Sequence, residues 1–349
     1  MSMLEFAGHR IGGGASCFVI AEAGVNHNGD SVLARQLIDA AVASGADAVK
    51  FQTFSAERLV TRDAPQAEYQ RRNIGVEESQ FAMLKRLELS PAMHRELLDY
   101  CALRGILFLS TPFEEESADF LDALGVPAFK IPSGEITNLP FLDHVARKGK
   151  PLIVSTGMST LAEVEDAVTC IRAAGNKRLA LLHCVSNYPA AAADINLRAM
   201  DTLRKRFDVP TGYSDHTDGI EIALAAVARG AEIIEKHFTL SRTLPGPDHK
   251  ASLEPAELAA LVAGIRRIEA SLGDGIKRPV EAEKSTAAVA RKSIVAKRDL
   301  PAGTILTRED LLIQRPGTGI SPARLDAIVG RCTRSALRAG DVLAHGAIE

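Results

Sequence analysis

The sequence predicts an α/β fold, a (β/α)8 (TIM) barrel followed by a small β-rich domain. Three observations predict it. Eight short apolar runs recur after residue 16, and each leads through a polar turn into a stretch of helical period. Strands that alternate with helices pair in parallel, and near-continuous apolar runs mean that both faces of the sheet are covered. Eight such units in roughly 270 residues match the size of a (β/α)8 barrel. A doubly wound open sheet, the alternative, needs a Gly-rich phosphate loop after an early strand. The glycine triplet Gly12–Gly14 precedes the first run instead.

The runs, in order, are CFVIAEAG (17–24), AVKFQTF (48–54), ILFLSTPF (106–113), AFKIPSG (128–134), PLIVSTGM (151–158), LALLHCVS (179–186), PTGYSDHT (210–217) and AEIIEKHFTL (231–240). Helical stretches lie between them at 31–44, 91–104, 115–124, 139–148, 160–174, 196–207 and 219–229, and 255–271 follows the last. After the second run comes a long polar segment, 55–90, with Arg62, Tyr69, Gln70, Arg71 and Arg72. A connection of that length is functional or mobile, and on a barrel it lies on the active-site face. Beyond 272 the character changes. The expected division is a barrel over 1–275, a charged linker over 276–288 and a small domain over 289–349, with turns at PAG and RPGTG. Some sixty residues suffice for a modest core.

Hydrophobic residues at 46% and charged residues at 24% describe an ordinary globular chain and exclude disorder and fibrous folds. A net charge of −3 leaves no electrostatic footprint for nucleic acid. No apolar stretch reaches the ~18 residues that span a bilayer, and no signal peptide is evident, so no membrane partner is expected. Cys17, Cys101, Cys170, Cys184 and Cys332 are odd in number and dispersed. They read as free thiols in a reducing compartment, which places the protein in the cytoplasm.

Catalytic groups of such barrels come from the C-terminal ends of the strands. Every run here ends in polar residues: Glu22 and Asn26; Lys50 and Gln52; Ser110 and Thr111; Lys130, Ser133 and Glu135; Ser155; His183 and Ser186; Ser214, Asp215 and His216; Lys236 and His237. A polar tip on all eight strands means a polar pocket at one end. An ammonium among strand residues must be paired or shift its pKa. Lys50 and Lys130 therefore either pair with an inward acid such as Glu22 or Glu235, or serve an anion together with Ser133, Ser155, Ser186 and Ser214. His216 and His237 end neighbouring strands about 4.8 Å apart. They either share a divalent metal with open positions for water and substrate, or hydrogen-bond as pocket histidines. His183 reads as a core histidine and His27 as a turn residue near the pocket mouth. Asp248, in GPDHKAS, is a candidate for substrate hydroxyls or a surface turn. On its own, Arg315 reads as a surface arginine.

In this order the motifs resemble those of the sialic acid synthase family, the N-acetylneuraminate synthases and the related legionaminate and pseudaminate synthases. The matching stretches are IAEAGVNHNG, KFQTF, STPF, KIPSGEITNLPFL, STGMS, HCVSNYP, GYSDHT, EKHFTL, GPDHKAS, RKSIVA and RPGTGISP. The resemblance covers nearly the whole chain, and its last part looks like an antifreeze-like (SAF) domain. It implies condensation of phosphoenolpyruvate with an N-acylated mannosamine-type sugar to a nonulosonic acid and phosphate, with a divalent metal (Mn2+ or Mg2+). It implies that Lys50, Thr111, Lys130, Ser133, Ser155, Ser186 and Ser214 hold phosphoenolpyruvate, and that His216 and His237 hold the metal. Glu22, Gln52, Glu135, Tyr188 and Asp248 would line the sugar site, with Glu22 handling the water proton. Arg315 would reach the N-acyl group of the sugar from the antifreeze-like domain of a second subunit, in a domain-swapped homodimer. The first expectation is N-acetylmannosamine as the sugar. The alternative is the same chemistry on a 2,4-diacetamido-2,4,6-trideoxy sugar. VSNYP followed by DINLRAM leans toward the sialic and legionaminic branch. Two other readings are a Schiff-base aldolase using Lys130 or Lys50, and a carbohydrate- or ice-binding protein.

Overall fold

The computed structural model describes residues 3–74 and 78–349. The chain opens with an antiparallel hairpin, β1 (Met3–Phe6) and β2 (His9–Gly12). The eight apolar runs then form β3 (Phe18–Gly24), β4 (Ala48–Thr53), β5 (Leu107–Pro112), β6 (Phe129–Ile131), β7 (Leu152–Ser155), β8 (Leu179–Cys184), β9 (Thr211–Asp215) and β10 (Ile233–His237). Their order is β5-β4-β3-β10-β9-β8-β7-β6, with every ladder parallel. The sheet is a nearly closed barrel in which β5 and β6 lie alongside each other at the seam.

Helices α1 (Ser31–Ala43), α2 (Ala56–Leu59), α3 (Glu68–Ile74), α4 (Gln80–Leu87), α5 (Pro91–Arg104), α6 (Glu115–Leu124), α7 (Leu139–Arg147), α8 (Leu161–Ala173), α9 (Ala199–Phe207), α10 (Glu221–Ala228) and α11 (Pro255–Leu272) follow the strands. Short polar side chains start them where the sequence places turns. Asp30 accepts from the backbone N–H groups of Val32 and Leu33, and Thr160 and Glu163 form a capping box on α8. An outer core lies between sheet and helices, with Val19, Leu37, Phe51, Phe108, Leu142 and Ile234 fully or almost fully buried.

A second core fills the barrel itself. Phe18, Ile20, Leu109, Ile153, Leu182 and Ile233 point inward and meet Leu4, Phe6 and Ile11 of the β1–β2 hairpin. The hairpin therefore plugs the N-terminal end of the barrel. Each of these side chains contributes about 1.5–3 kcal/mol by leaving water. The sequence reading began its strands at residue 17 and passed over this element. Its signal is the alternation of Leu4 and Phe6 with exposed neighbours, on two strands of four residues each.

The segment 55–90, expected as a long connection, folds into α2, α3 and α4. Phe54, Ala56, Met83, Leu84 and Leu87 close a small core with Val25, and Ser79 caps α4 by accepting from Ala82 N. The Arg72 side chain lies outside the described residues.

The chain divides into two compact units, the first ending at Gly273 and the second running from Asp274 to Glu349. In the second, α12 (Glu283–Ala290), β11 (Ser293–Ala296), β12 (Leu311–Gln314) and α13 (Leu325–Ile328) surround Ile294, Leu300, Leu306, Ile320, Leu337 and Leu343. The whole stretch expected as linker, 276–288, thus falls within this unit, and its last residues are helical. Gly317 N donates to Ala288 O at 2.7 Å and Arg315 Nε to Ala290 O at 3.0 Å, which ties the end of α12 to the RPGTG turn. Among the described residues no helix is long and apolar enough to cross a membrane.

Candidate active site

The two-residue period of a strand decides which polar tips face inward. On β4 these are Lys50 and Gln52, on β5 Thr111, on β9 Ser214 followed by His216, and on β10 Glu235 and His237. Their neighbours in sequence point the other way. Lys236 Nζ pairs with Asp215 Oδ2 at 2.7 Å and donates to Thr217 O at 2.6 Å. Ser110 Oγ lies 2.7 Å from Thr53 Oγ1. Asp215, Lys236 and Ser110, three of the polar tips noted in the sequence, serve the outer layer.

The inward residues line a cavity of about 490 Å³ at the C-terminal ends of the strands. It gathers Glu22, Lys50, Gln52, Thr111, Lys130, Ser133, Glu135, Ser155, Ser186, Tyr188, Ser214, His216, His237 and Asp248. Arg315 belongs to the C-terminal unit. His183 Nε2 donates to Ile195 O at 2.5 Å, as a satisfied histidine would. His27 is fully buried, with Nδ1 accepting from Gly29 N and its ring against Phe51, so it is not at the pocket mouth.

Four buried charges form the floor. Lys50 Nζ lies 2.6 Å from Glu22 Oε2 and 3.7 Å from Glu235 Oε2, and donates to Thr111 Oγ1 at 2.8 Å. Lys130 Nζ lies 3.3 Å from Glu235 Oε1 and donates to Ser155 Oγ at 2.7 Å. Ser214 Oγ also donates to Glu235 Oε1, at 2.9 Å. The two readings of the lysines therefore coexist: each pairs with an acid, and each still faces the cavity. Glu235 was foreseen as a partner but not as a cavity residue, although it stands two residues before His237.

Burial raises Glu22 to about 7, because desolvation of its carboxylate outweighs Lys50. Glu235 is buried as deeply, but Lys130 and Lys50 together hold it down at about 2. The two carboxylates thus divide: Glu235 stays ionised, and Glu22 can exchange a proton near neutrality. Burial lowers Lys130, against the pull of Glu235.

Beside Lys130 the backbone makes room for hydroxyls. Gly157 N donates to Ser133 Oγ at 2.9 Å. A Cβ at Gly157 would come within 2.3 Å of Ser186 Oγ and 2.8 Å of Ser133 Oγ, so any side chain there would have to displace both hydroxyls. Cys184 also lines this wall, with Sγ 3.6 Å from His216 Nδ1. Its thiol is free, but the composition had assigned it no role.

The rings of His216 and His237 have centroids 5.5 Å apart, and Tyr188 packs on the first at 4.1 Å and edge-on to the second at 5.7 Å. His216 Nδ1 donates to Val185 O at 2.8 Å, which leaves the Nε2 lone pair available. His237 Nδ1 is buried without a partner among the described residues, and burial keeps its ring neutral. Desolvation of His216 is outweighed by Cys184, which raises it. Once that ring is neutral, its Nε2 and the His237 ring offer two nitrogen donors that fit a divalent cation. No group of three or more His, Cys, Asp or Glu is arranged for one among the described residues, so water or substrate would complete its shell. Gly24 brings these groups together. It has φ +52° at a bulge in β3, and a Cβ there would meet Glu22 Oε1, Gln52 Nε2 and His237 Cε1 at 3.3–3.5 Å. Asp248 is buried and raised to about 6 by desolvation.

A barrel whose strand tips gather buried lysines, hydroxyls and a histidine pair in one cavity has the layout of an enzyme's active site. Residues 37–277 match the NeuB family and residues 291–349 the SAF domain. The chain belongs to the NeuB family of synthases. It is 51% identical over 342 residues to N,N'-diacetyllegionaminic acid synthase of Legionella pneumophila, covering 97% of this chain and 96% of that one. It is 49% identical to the Campylobacter jejuni enzyme of the same name, over 90% and 94% of the two chains. The crystal structure of N-acetylneuraminic acid synthetase from Leptospira borgpetersenii, in complex with citrate, superposes with a TM-score of 0.72 at 38% identity, covering 82% of this chain and 96% of that one.

Proposed function

We propose that this enzyme condenses phosphoenolpyruvate with a 2,4-diacetamido-2,4,6-trideoxy hexose, releasing phosphate and forming a legionaminate-type nonulosonic acid. The observation that carries the reading is the adjacency, in one cavity, of a lysine–hydroxyl anion pocket and the His216–His237 pair. The trideoxy sugar is preferred over N-acetylmannosamine because the two relatives near half identity carry the legionaminic name. Leu59, Val60, Met83 and Leu84 also give one arm of the cavity an apolar lining suited to methyl groups.

Lys50 and Lys130, with Thr111, Ser133, Ser155, Ser186 and Ser214, bind the phosphate and carboxylate of phosphoenolpyruvate by charge-assisted hydrogen bonds. A divalent cation held by His216 and His237, manganese or magnesium, supplies Lewis-acid activation of the sugar aldehyde. Gln52, Glu135, Tyr188 and Asp248 orient the sugar so that its C1 faces the enol C3. The C3–C1 bond forms, the aldehyde oxygen takes up a proton, and water adds at C2. Glu22 accepts the proton of that water, and phosphate leaves with cleavage of the C–O bond. Glu235 keeps the lysines charged and positioned throughout. Arg315 of a second copy, in a domain-swapped homodimer, contacts an N-acyl group. Its replacement by Ala raises the KM for the sugar more than for phosphoenolpyruvate, and equal effects would remove it from the site. The protein works in a reducing cytoplasm, in keeping with its free cysteines.

The test is phosphate release from phosphoenolpyruvate with 2,4-diacetamido-2,4,6-trideoxymannose or N-acetylmannosamine, with and without a chelator. Chelator-sensitive release, faster with the first sugar, is expected. Faster release with N-acetylmannosamine would return the sugar to the first expectation. Metal-independent turnover with borohydride trapping on Lys130 would replace the whole reading by the Schiff-base route.

A further inference from the structure

Helix α3, in the connection between β4 and β5, sets an aromatic side chain in the cavity wall. The ring of Tyr69 stacks on Tyr188 with centroids 4.9 Å and planes 28° apart. Tyr188 in turn packs on His216 at 4.1 Å. Tyr69 therefore stands two ring steps beyond the histidine that, in the proposed function, marks the aldehyde end of the sugar. That places it beside the part of the six-carbon chain that lies beyond C3, away from the aldehyde.

The polar groups around it are complementary. Gln70 Nε2 donates to the Tyr69 hydroxyl at 3.4 Å, which leaves the phenolic hydrogen free to donate elsewhere. Burial, reinforced by the nearby Asp248 carboxylate, keeps Tyr69 a phenol far above neutral pH. Tyr69 and Asp248 both line the cavity. The helix is tied to the loop that carries Asp248. Asn73 Nδ2 donates to Pro247 O at 2.7 Å, and Lys250 Nζ donates to Asn73 O at 2.9 Å. A phenol donor and a carboxylate acceptor are thus held on one wall.

An acetamido group presents the matching pair, a carbonyl acceptor and an N–H donor, whereas a hydroxyl cannot engage both through two separated atoms. We propose that Tyr69 is a specificity-determining residue for the amino sugar: its hydroxyl, paired with Asp248, recognises the acetamido group at C4, and its ring extends the Tyr188 surface under the sugar. This assignment rests on the condensation proposed above. Unmatched polar groups in a closed site are the strongest means of rejecting an analogue.

The experiment compares the full-length wild type with Tyr69→Phe and Tyr69→Ala by phosphate release. Each of the two sugars is varied at saturating phosphoenolpyruvate, and phosphoenolpyruvate is varied at saturating sugar. Tyr69→Ala is expected to raise the KM for the diacetamido sugar about tenfold or more and to cut the preference over N-acetylmannosamine by about as much. The KM for phosphoenolpyruvate stays within about twofold. Tyr69→Phe keeps the stack and loses the donor, so the preference falls by about three- to fivefold. An unchanged preference, or a phosphoenolpyruvate KM that rises in step, overturns the assignment. Should both variants fail to fold, Asn73→Ala loosens the same helix. A raised sugar KM alone supports the assignment, and an unmoved one overturns it. A wild type that releases no phosphate with either sugar overturns the proposed function and this assignment together. A wild type that turns over, with its preference unmoved by Tyr69→Ala, overturns this assignment alone.

Discussion

At the starts of the strands the barrel interior holds Ile20, Leu109, Ile153 and Ile233, packed on Leu4, Phe6 and Ile11. Two residues further along the same strands, the inward positions hold Glu22, Thr111, Ser155 and Glu235. The distance between these layers is about 6.6 Å, one pleat period. Over that single step the interior changes from an apolar plug to a cavity with four buried charges and a histidine pair. Stability and chemistry are thus stacked on one set of strands and can be damaged separately.

The largest expected effect is at the polar end. His237→Ala should lower turnover by about 10³-fold or more, by removing a nitrogen donor to the cation that would polarise the aldehyde in the proposed function. Its melting temperature should stay near that of the wild type and its bound metal should fall. Near-normal turnover with no metal would break the division. At the apolar end, Ile11→Ala should cost about 2–5 kcal/mol of stability, measured by denaturant unfolding, with both KM values unchanged. A shifted KM there would mean that the layers are coupled.

The acid limb of kcat/KM sharpens the contrast between the two carboxylates. With Glu22 raised to about 7, it is protonated below that pH and cannot accept the water proton. The rate should therefore fall on the acid side of about 7, approaching tenfold per unit. In Glu22→Gln the rate should be down by about 10²-fold and that limb should be flat. An acid limb that survives in the variant would assign it to another group. The smallest effect is expected at Gly157→Ala. Its Cβ would collide with Ser186 Oγ and Ser133 Oγ, which should raise the KM for phosphoenolpyruvate about tenfold, roughly the loss of one good hydrogen bond. A KM raised equally for the sugar would place the collision outside the phosphate pocket.

Much of this was legible without coordinates. The eight apolar runs became β3 to β10, because a parallel strand covered on both faces leaves a continuous apolar trace. The polar tips marked the active end, because a barrel offers polar groups room at its strand ends. The direction of each tip was not legible. Asp215 and His216 are adjacent and equally polar, yet one holds Lys236 in the outer layer and the other faces the cavity. Cys184 went unassigned for the same reason, and Glu235 was expected as a partner of the lysines without a place in the cavity wall. The β1–β2 hairpin escaped because two four-residue strands carry little pattern, and their meaning comes from the hole they fill. The segment 55–90 looked polar because most of its surface is solvated, with its few apolar residues turned onto one small core.

What the sequence determined by itself is the order of strands and helices, the set of chemical groups at the strand tips and the family they belong to. These depend on local periodicity and on residue identity, both written directly in the chain. What the tertiary structure decided is which tips share the cavity, that Glu22 and Glu235 bury together with two lysines yet titrate apart, and that Tyr69 stands beyond Tyr188. Those outcomes depend on ladder register, closure of the barrel and desolvation, which arise only when distant segments are brought side by side.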